Sequence, residues 1–357
     1  MTNNKKIKVG ILGASGYTGS DLVRLLINHP NVDIKLLTAE RKAGQTMADI
    51  FPHFIGHDLP ILNKIGEIDW ATVEVDVIFC ALPHATSQEI IKGIFEQTSG
   101  KKQIKVIDLS ADFRLRDPDT YKRWYGNDHT AIALQPRAIY GLTEYYRESV
   151  KSADLVACPG CYPTAILLAL KPLLKQDLIK SEDIIIDAKS GVTGAGRSLR
   201  ESNLFTEVSE AMNPYGVGHH RHMPEIEQEL SVSAESAVTM SFTPHLVPMN
   251  RGELITAYVK LEENKTIEDL RKGLAVTCDK EHFMTLLKED QMPATRMVRG
   301  SNNFVVNVYK DRIKGRAIVI AAIDNLVKGS SGQAIQNMNV MMGLDEECGL
   351  KQVALFP

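Results

Sequence analysis

Cys161 has the setting of a nucleophile. It stands in ACPGCYPTAILLALKPLL, after a short apolar run and Pro159-Gly160, and two residues before Pro163. Proline in a first turn marks a helix start. A thiol there feels the positive end of the helix dipole, which lowers its pKa below the free ~8.5 and yields thiolate. Backbone N–H groups of the same turn can hold an oxyanion. A thiolate that expels an oxygen leaving group needs a proton donor. GVGHHRHMPEIEQEL offers His219, His220 and His222 around Arg221, and imidazole titrates in the right range. Ten histidines are spread over 357 residues, so three within four positions is a concentration. His219 reads as part of an exposed polar loop, and His245, at the end of an expected strand, as structural.

Other readings of the same residues stay open at this level. Cys158 and Cys161 form a C-x-x-C, which could be a reversible dithiol, or half a zinc site with the three histidines. No second C-x-x-C is present, and Cys158 reads as a small buried core residue. Candidate anion ligands are Arg221, Arg197 in the glycine-rich KSGVTGAGRSL, and Ser110 with Arg114 in VIDLSADFRLRD. Arg116 reads as a solvated charge.

A second kind of chemistry is written near the N-terminus. KVGILGASGYTGSDLVRLL places Gly13, Gly16 and Gly19 between a strand and a helix. Glycines there permit a tight turn and close approach of a pyrophosphate to free helix N–H groups. The end of the second strand reads Thr38-Ala39-Glu40-Arg41-Lys42. An acid there favours NAD and an arginine NADP; both are present, and two adjacent cations tilt the choice to NADP.

Strands and helices alternate through the first ~160 residues: strands at 8–12, 32–38, 76–82, 105–109 and 154–158, with helices at 17–28 and 85–96. Such alternation implies a parallel sheet with right-handed crossovers. After Cys161 the pattern changes. One apolar helix spans about 163–175, and another opens at Pro224-Glu225. Strands are expected at 183–188, 236–244, 252–261, 303–309 and 316–323, with a hairpin turn at Asp311–Gly315 and a final glycine-led helix at 329–343. Strand-rich sequence of this kind predicts an α+β domain with a mostly antiparallel sheet.

Composition bounds the answer. Hydrophobic residues make up 44% and charged residues 24%, which excludes a disordered or collagen-like chain. Lys+Arg is 41 and Asp+Glu 44, a net charge of −3, so binding nucleic acid through bulk charge is not expected. Five scattered cysteines do not read as a disulfide framework. With no signal peptide or membrane span legible, the expected location is the cytoplasm.

Taken in order, GASGYTGSDLVRLL, ALPH, DLSADFR, PGCYPTA, KSGVTGAGR, HRHMPEIEQ, TPHLVPMNRG and NLVKGSSGQAIQNMN resemble the N-acetyl-γ-glutamyl-phosphate reductases of arginine biosynthesis, relatives of the aspartate-semialdehyde dehydrogenases. The resemblance covers nearly the whole chain. It implies a Rossmann-type dinucleotide-binding domain (1–160), an α+β catalytic and oligomerisation domain (161–327), and a C-terminal helix (328–357) returning to the first. It implies NADP(H) as cofactor, an acyl phosphate as small-molecule substrate, no metal, and a homodimer or homotetramer. By position, Cys161 is the nucleophile, with His220 and His222 the acid–base candidates. Cofactor contacts fall at Gly13, Ser15, Gly16, Tyr17, Thr18, Gly19, Thr38, Arg41, Pro83 and Gly332. Substrate contacts fall at Ser110, Arg114, Arg197 and Arg221. The alternatives are the same chemistry on an aminoadipate-type acyl phosphate, and a dinucleotide-binding dithiol redox sensor.

Overall fold

The structure, a computed structural model, describes residues 6–356. In chain order the main elements are β1 (Ile7–Leu12), α1 (Tyr17–Leu26), β2 (Val32–Thr38), α2 (Met47–Ile50), β3 (Leu62–Asn63), β4 (Val77–Cys80), α3 (Ser87–Thr98), β5 (Lys105–Asp108), α4 (Pro118–Tyr125), β6 (Ala138–Tyr140), α5 (Thr143–Ser152), β7 (Leu155–Ala157), α6 (Cys161–Lys175), β8 (Ile184–Gly191), α7 (Phe205–Val208), β9 (Asn213–Pro214), α8 (Met223–Ala234), β10 (Met240–Val247), β11 (Glu253–Lys260), α9 (Ile267–Cys278), β12 (Met284–Leu286), β13 (Phe304–Lys310), β14 (Arg316–Ile323) and α10 (Gly332–Met341). They fall into two compact units. Of the described residues, 6–159 and 330–351 form the first, and 160–329 with 352–356 the second. The last thirty residues therefore divide between the two.

In the first unit all strand pairs are parallel, in the order β3-β2-β1-β4-β5-β7-β6. The order reverses between β1 and β4, and ligands of such sheets bind outside the carboxyl ends of the strands at that point. The strands there are buried on both faces: Val77, Ile78, Phe79 and Cys80 of β4 are each 0% exposed, as parallel sheets require. Helix α3 begins at Ser87 rather than Ala85. Ala85 takes a positive φ of 65°, and the Asp112 carboxylate accepts the N–H groups of Ala85 and Ser87. That distant acid sets the helix start. Helix α10 is buried along its whole length, and its amides do the holding: Asn337 donates to the Gly141 carbonyl and Gln333 to Thr143.

The second unit carries a sheet in the order β12-β13-β14-β11-β8-β10-β9. Most pairs are antiparallel, and the 311–315 turn joins β13 to β14 as expected. Two pairs depart from the antiparallel expectation, since β8 runs parallel to β10 and β12 to β13. Strand β10 starts at Met240, four residues later than predicted, because the preceding segment turns back on α8 and the Val238 N–H bonds to Ser231 Oγ. Helix α6 packs against α8, α9, β11 and β14, and Tyr162–Leu174 are all buried. Its one buried cation, Lys171, meets Glu229 of α8 at 3.3 Å and the Glu229 carbonyl at 2.9 Å. No helix among the described residues is long and apolar enough to cross a membrane.

Candidate active site

Cys161 is the first residue of α6 and is partly exposed, two positions earlier than the proline-based expectation. Gly160 is the N-cap and brings no side chain to the task. The cap comes from elsewhere: Glu225, 1% exposed on α8, accepts the Gly160 N–H at 2.9 Å. Glu225 belongs to the same HRHMPE stretch as the histidines, so one segment both fixes the cysteine turn and carries the imidazoles. Opposite them, Gly329 lies against the cysteine. A Cβ on it would stand 2.8 Å from Cys161 Cβ and 3.2 Å from its Cα.

An aromatic cluster surrounds this turn. Tyr162, 1% exposed, has ring centroids of His220 at 5.7 Å, His222 at 6.0 Å and Phe242 at 5.3 Å. Tyr215 donates to Tyr162 Oη at 3.1 Å, which in turn donates to the His245 carbonyl at 3.4 Å. Burial raises both phenols well above the ordinary tyrosine range, so they stay protonated. His220 and His222 face each other at 4.9 Å. The His222 N–H donates to His220 Nδ1 at 3.1 Å, which places the ring proton of neutral His220 on Nε2. Burial, with the Arg221 charge and His219 adding to it, pushes the His220 pKa down to about 4. At neutral pH His220 is therefore an uncharged hydrogen-bond donor.

Glu253, the first residue of β11, is 0% exposed. Neither carboxylate oxygen completes a hydrogen bond of ordinary geometry. Burial raises its pKa to about 8, with Asp324 adding to the rise and the Cys161 thiol acting against it.

The glycine turn in the first unit has a different logic at each position. A Cβ on Gly13 (φ +82°) would strike the Ala81 carbonyl oxygen at 2.3 Å, and one on Gly19 the Gly13 carbonyl oxygen at 2.4 Å. Gly16 is the α1 N-cap, and a Cβ there would meet only ordinary contact at 3.5 Å. Packing does not demand glycine at that helix mouth, whereas an approaching pyrophosphate does. Thr38 Oγ1 accepts the Gly13 N–H at 3.2 Å and ties the second strand to the turn. Ser15, Tyr17 and Thr18 line the same turn, and Thr18 Oγ1 lies 3.3 Å from Ser330 Oγ. Pro83 is exposed just beyond β4, and Gly332 opens α10. The residues present thus fit a dinucleotide. Glu40 turns its carboxylate to the Ile65 N–H at 3.2 Å, while Arg41 and Lys42 are exposed.

The remaining expected ligands are distributed differently. Ser110 and Arg114 are 1% and 5% exposed. Ser110 donates to Asp108, and Arg114 to the Cys158 and Leu109 carbonyls at 2.6 and 2.9 Å. Both have structural work at the end of β5. Arg197 and Arg221 are exposed, in the loops after β8 and before α8. His245 Nδ1 lies 3.4 Å from Asp187 on the sheet, and His219 bonds to the Val217 carbonyl. Cys158 is 1% exposed, and its sulfur accepts from Asn337 at 3.5 Å. Sequence reading passed over Glu225, Glu253, Tyr162, Tyr215 and Gly329. Glu253 did leave a signal, since strict alternation in ELITAYVK puts an acid on the same inward face as Ile255, Ala257 and Val259.

Comparison with known proteins defines the class first. A family model described as "Semialdehyde dehydrogenase, NAD binding domain" matches residues 8–153, and one described as "Semialdehyde dehydrogenase, dimerisation domain" matches 161–325. Aspartate semialdehyde dehydrogenase II from Vibrio cholerae has the same fold, with a TM-score of 0.73 at 17% identity over 95% of this chain and 99% of that one. The enzyme from Candida albicans, solved with NADP, gives 0.67 at 17% identity, over the same shares. The finer assignment comes from sequence relatives. N-acetyl-gamma-glutamyl-phosphate reductase of Afipia carboxidovorans is 54% identical over 98% of this chain and 99% of its own length. The Rhodospirillum rubrum reductase is 52% identical over 99% and 100%, and a probable chloroplastic reductase of Arabidopsis thaliana 54% over 99% and 86%. The chain belongs to the N-acetyl-gamma-glutamyl-phosphate reductase family.

Proposed function

We propose that this chain reduces N-acetyl-L-glutamyl 5-phosphate to the 5-semialdehyde and phosphate, with NADPH as reductant and Cys161 as nucleophile. The observation that carries the residue assignment is the α6 start: a partly exposed sulfur on a helix mouth that the histidine segment itself caps through Glu225. Cys161 thiolate attacks the acyl carbon, the C–O bond to phosphate breaks, and a thioester forms. The dinucleotide supplies the hydride that reduces this thioester. His220, held neutral with its proton on Nε2, donates a hydrogen bond to the developing oxyanion. His222 gives its proton to that oxyanion to form the thiohemiacetal and takes it back as the thiohemiacetal collapses and the sulfur departs with the C–S electron pair. Arg197 and Arg221 are assigned to the substrate's anionic groups, and Ser110 and Arg114 to holding the β5 end. A dithiol sensor is disfavoured by the burial of Cys158.

The preference for NADPH is supported by Glu40, whose carboxylate is turned to a backbone N–H while Arg41 and Lys42 remain exposed. Coupled assays should show NADPH oxidised in preference to NADH. Arg41→Ser should raise KM for NADPH by roughly 10- to 100-fold, as loss of a charged hydrogen bond implies, and leave NADH nearly unchanged. Equal use of both dinucleotides by the unaltered protein would end this reading.

The two histidines separate by pH. Because His220 loses its proton near pH 4, kcat should show no inflection between pH 5 and 8 that disappears in His220→Asn. His222→Asn should cost roughly 10²–10⁴-fold in kcat at pH 7. An inflection near pH 6.5 that vanishes only in His220→Asn would reverse the two roles.

A second copy of the chain is our reading of the dimerisation domain, seated on the face of the second sheet where exposed Ile185 and half-buried Leu254 stand. Five scattered cysteines do not make a disulfide framework, which supports a reducing compartment, the cytoplasm in this reading.

A further inference from the structure

Glu253 is a carboxyl group where a carboxyl group needs a reason. It is fully buried, and neither of its oxygens completes an ordinary hydrogen bond. In register it lies between Ser190 of β8 and Ile323 of β14, neither of which carries a charge. Burying an acid this way costs several kcal/mol if it is ionised and unpaired, and an apolar residue would serve the core better. Ile323, its strand partner, and Cys161 both border the Cβ position of Gly329, at 3.2 and 2.8 Å, which brings the carboxyl group and the thiol to one spot, and that thiol is the polar group favouring the ionised form.

We propose that Glu253 is the proton partner of Cys161, the two side chains sharing one proton that resides on the carboxyl group whenever the sulfur acts. This deepens the reading of Cys161 as nucleophile and rests on it. The step balances within the pair. The S–H bond breaks, its proton moves to a Glu253 oxygen, and the electron pair stays on sulfur. Thiolate then attacks the acyl carbon and phosphate leaves. When the C–S bond later breaks, its electron pair returns to sulfur beside a carboxyl group that still holds the proton. The pair keeps a single negative charge, which the N-terminus of α6 offsets.

The surroundings suit this arrangement. Asp324 faces the pair, and its charge is tempered by Arg251 at 3.5 Å and by the N–H groups of Gly300, Leu326 and Val327. The phenols of Tyr162 and Tyr215 face it and remain protonated. Glu225 is occupied by Gly160 at the base of the turn, His220 and His222 pack on Tyr162, and Lys328 turns to the Phe283 ring at 5.2 Å. Burial raises the Glu253 carboxyl group to about 8, so it can hold a proton at neutral pH while the helix start favours thiolate.

The test is the rate of Cys161 alkylation by iodoacetamide against pH, with the cysteine identified by peptide mapping. Two acids sharing a proton titrate in two macroscopic steps. The unaltered chain should therefore show two inflections. Glu253→Gln should show one, with kcat lower by roughly 10- to 100-fold and substrate KM little changed. Glu253→Asp should restore the second inflection. A single inflection in the unaltered chain overturns the proposal, as does a Glu253→Gln profile that matches it. Should Glu253→Gln fail to fold, the unaltered chain and Glu253→Asp decide. Alkylation needs no substrate, so its outcome is separate from whether N-acetylglutamyl phosphate is the acyl donor.

Discussion

Cys161→Ser should eliminate turnover and leave dinucleotide binding intact. Serine keeps the shape and the helix position, so α6, the Glu225 cap and the contact with Gly329 should all survive. What is lost is chemistry. A hydroxyl is scarcely ionised at neutral pH, even at a helix N-terminus, and an oxygen ester accepts hydride less readily than a thioester. The expected loss in kcat/KM exceeds roughly 10⁴-fold, the order seen when a covalent nucleophile is removed. The glycine turn at Gly13–Gly19 belongs to the other unit, and fluorescence titration with NADPH should give an unchanged Kd. Turnover by the serine variant above the buffer background would remove Cys161 from its assigned role.

Gly329→Ala should be damaging through geometry alone. The added methyl would sit 2.8 Å from Cys161 Cβ and 3.2 Å from both Cys161 Cα and Ile323 Cδ1, closer than carbon atoms pack. The Gly329 N–H is fixed to the Asp324 carbonyl at 3.0 Å, and Ile323 lies in a sheet strand, so the start of α6 must give way. A displacement approaching 1 Å at a reacting atom costs about 10²-fold in rate. Overpacking of this kind also costs about 1–3 kcal/mol of stability. The expected result is a kcat lower by that rate factor, a modest fall in Tm, and Cys161 still alkylated. Full activity in Gly329→Ala would show that the helix start yields without consequence.

The first unit was legible because its physics is local. Strands buried on both faces are continuous apolar runs, and β2 was read to the residue. The elements missed there were short or polar: β3 has two residues, and α5 reads TEYYRESVKS with little apolar periodicity. In the second unit α9 was missed despite a full capping box, Thr266 with Asp269, which the sequence displays openly. The parallel pairing of β8 with β10 was beyond reach, since a strand's own residues do not name its neighbour. The candidate site divides the same way. Cys161, His220 and His222 announce themselves by residue type and spacing. Glu225, Gly329 and Glu253 lie 64, 168 and 92 positions from Cys161 in the chain, and their nearness to it exists only in the fold.

The bond from Glu225 to the Gly160 N–H makes the sulfur and the imidazoles parts of one casting. Between its two ends, residues 196–212 carry only short helical turns, α7 among them, with Leu199 and Phe205 exposed. Evolution, or a designer, can recut that stretch to admit a longer or differently capped acyl chain without retuning the reactive groups. New specificities in this lineage should accordingly arise by loop exchange before they arise at the helix mouth.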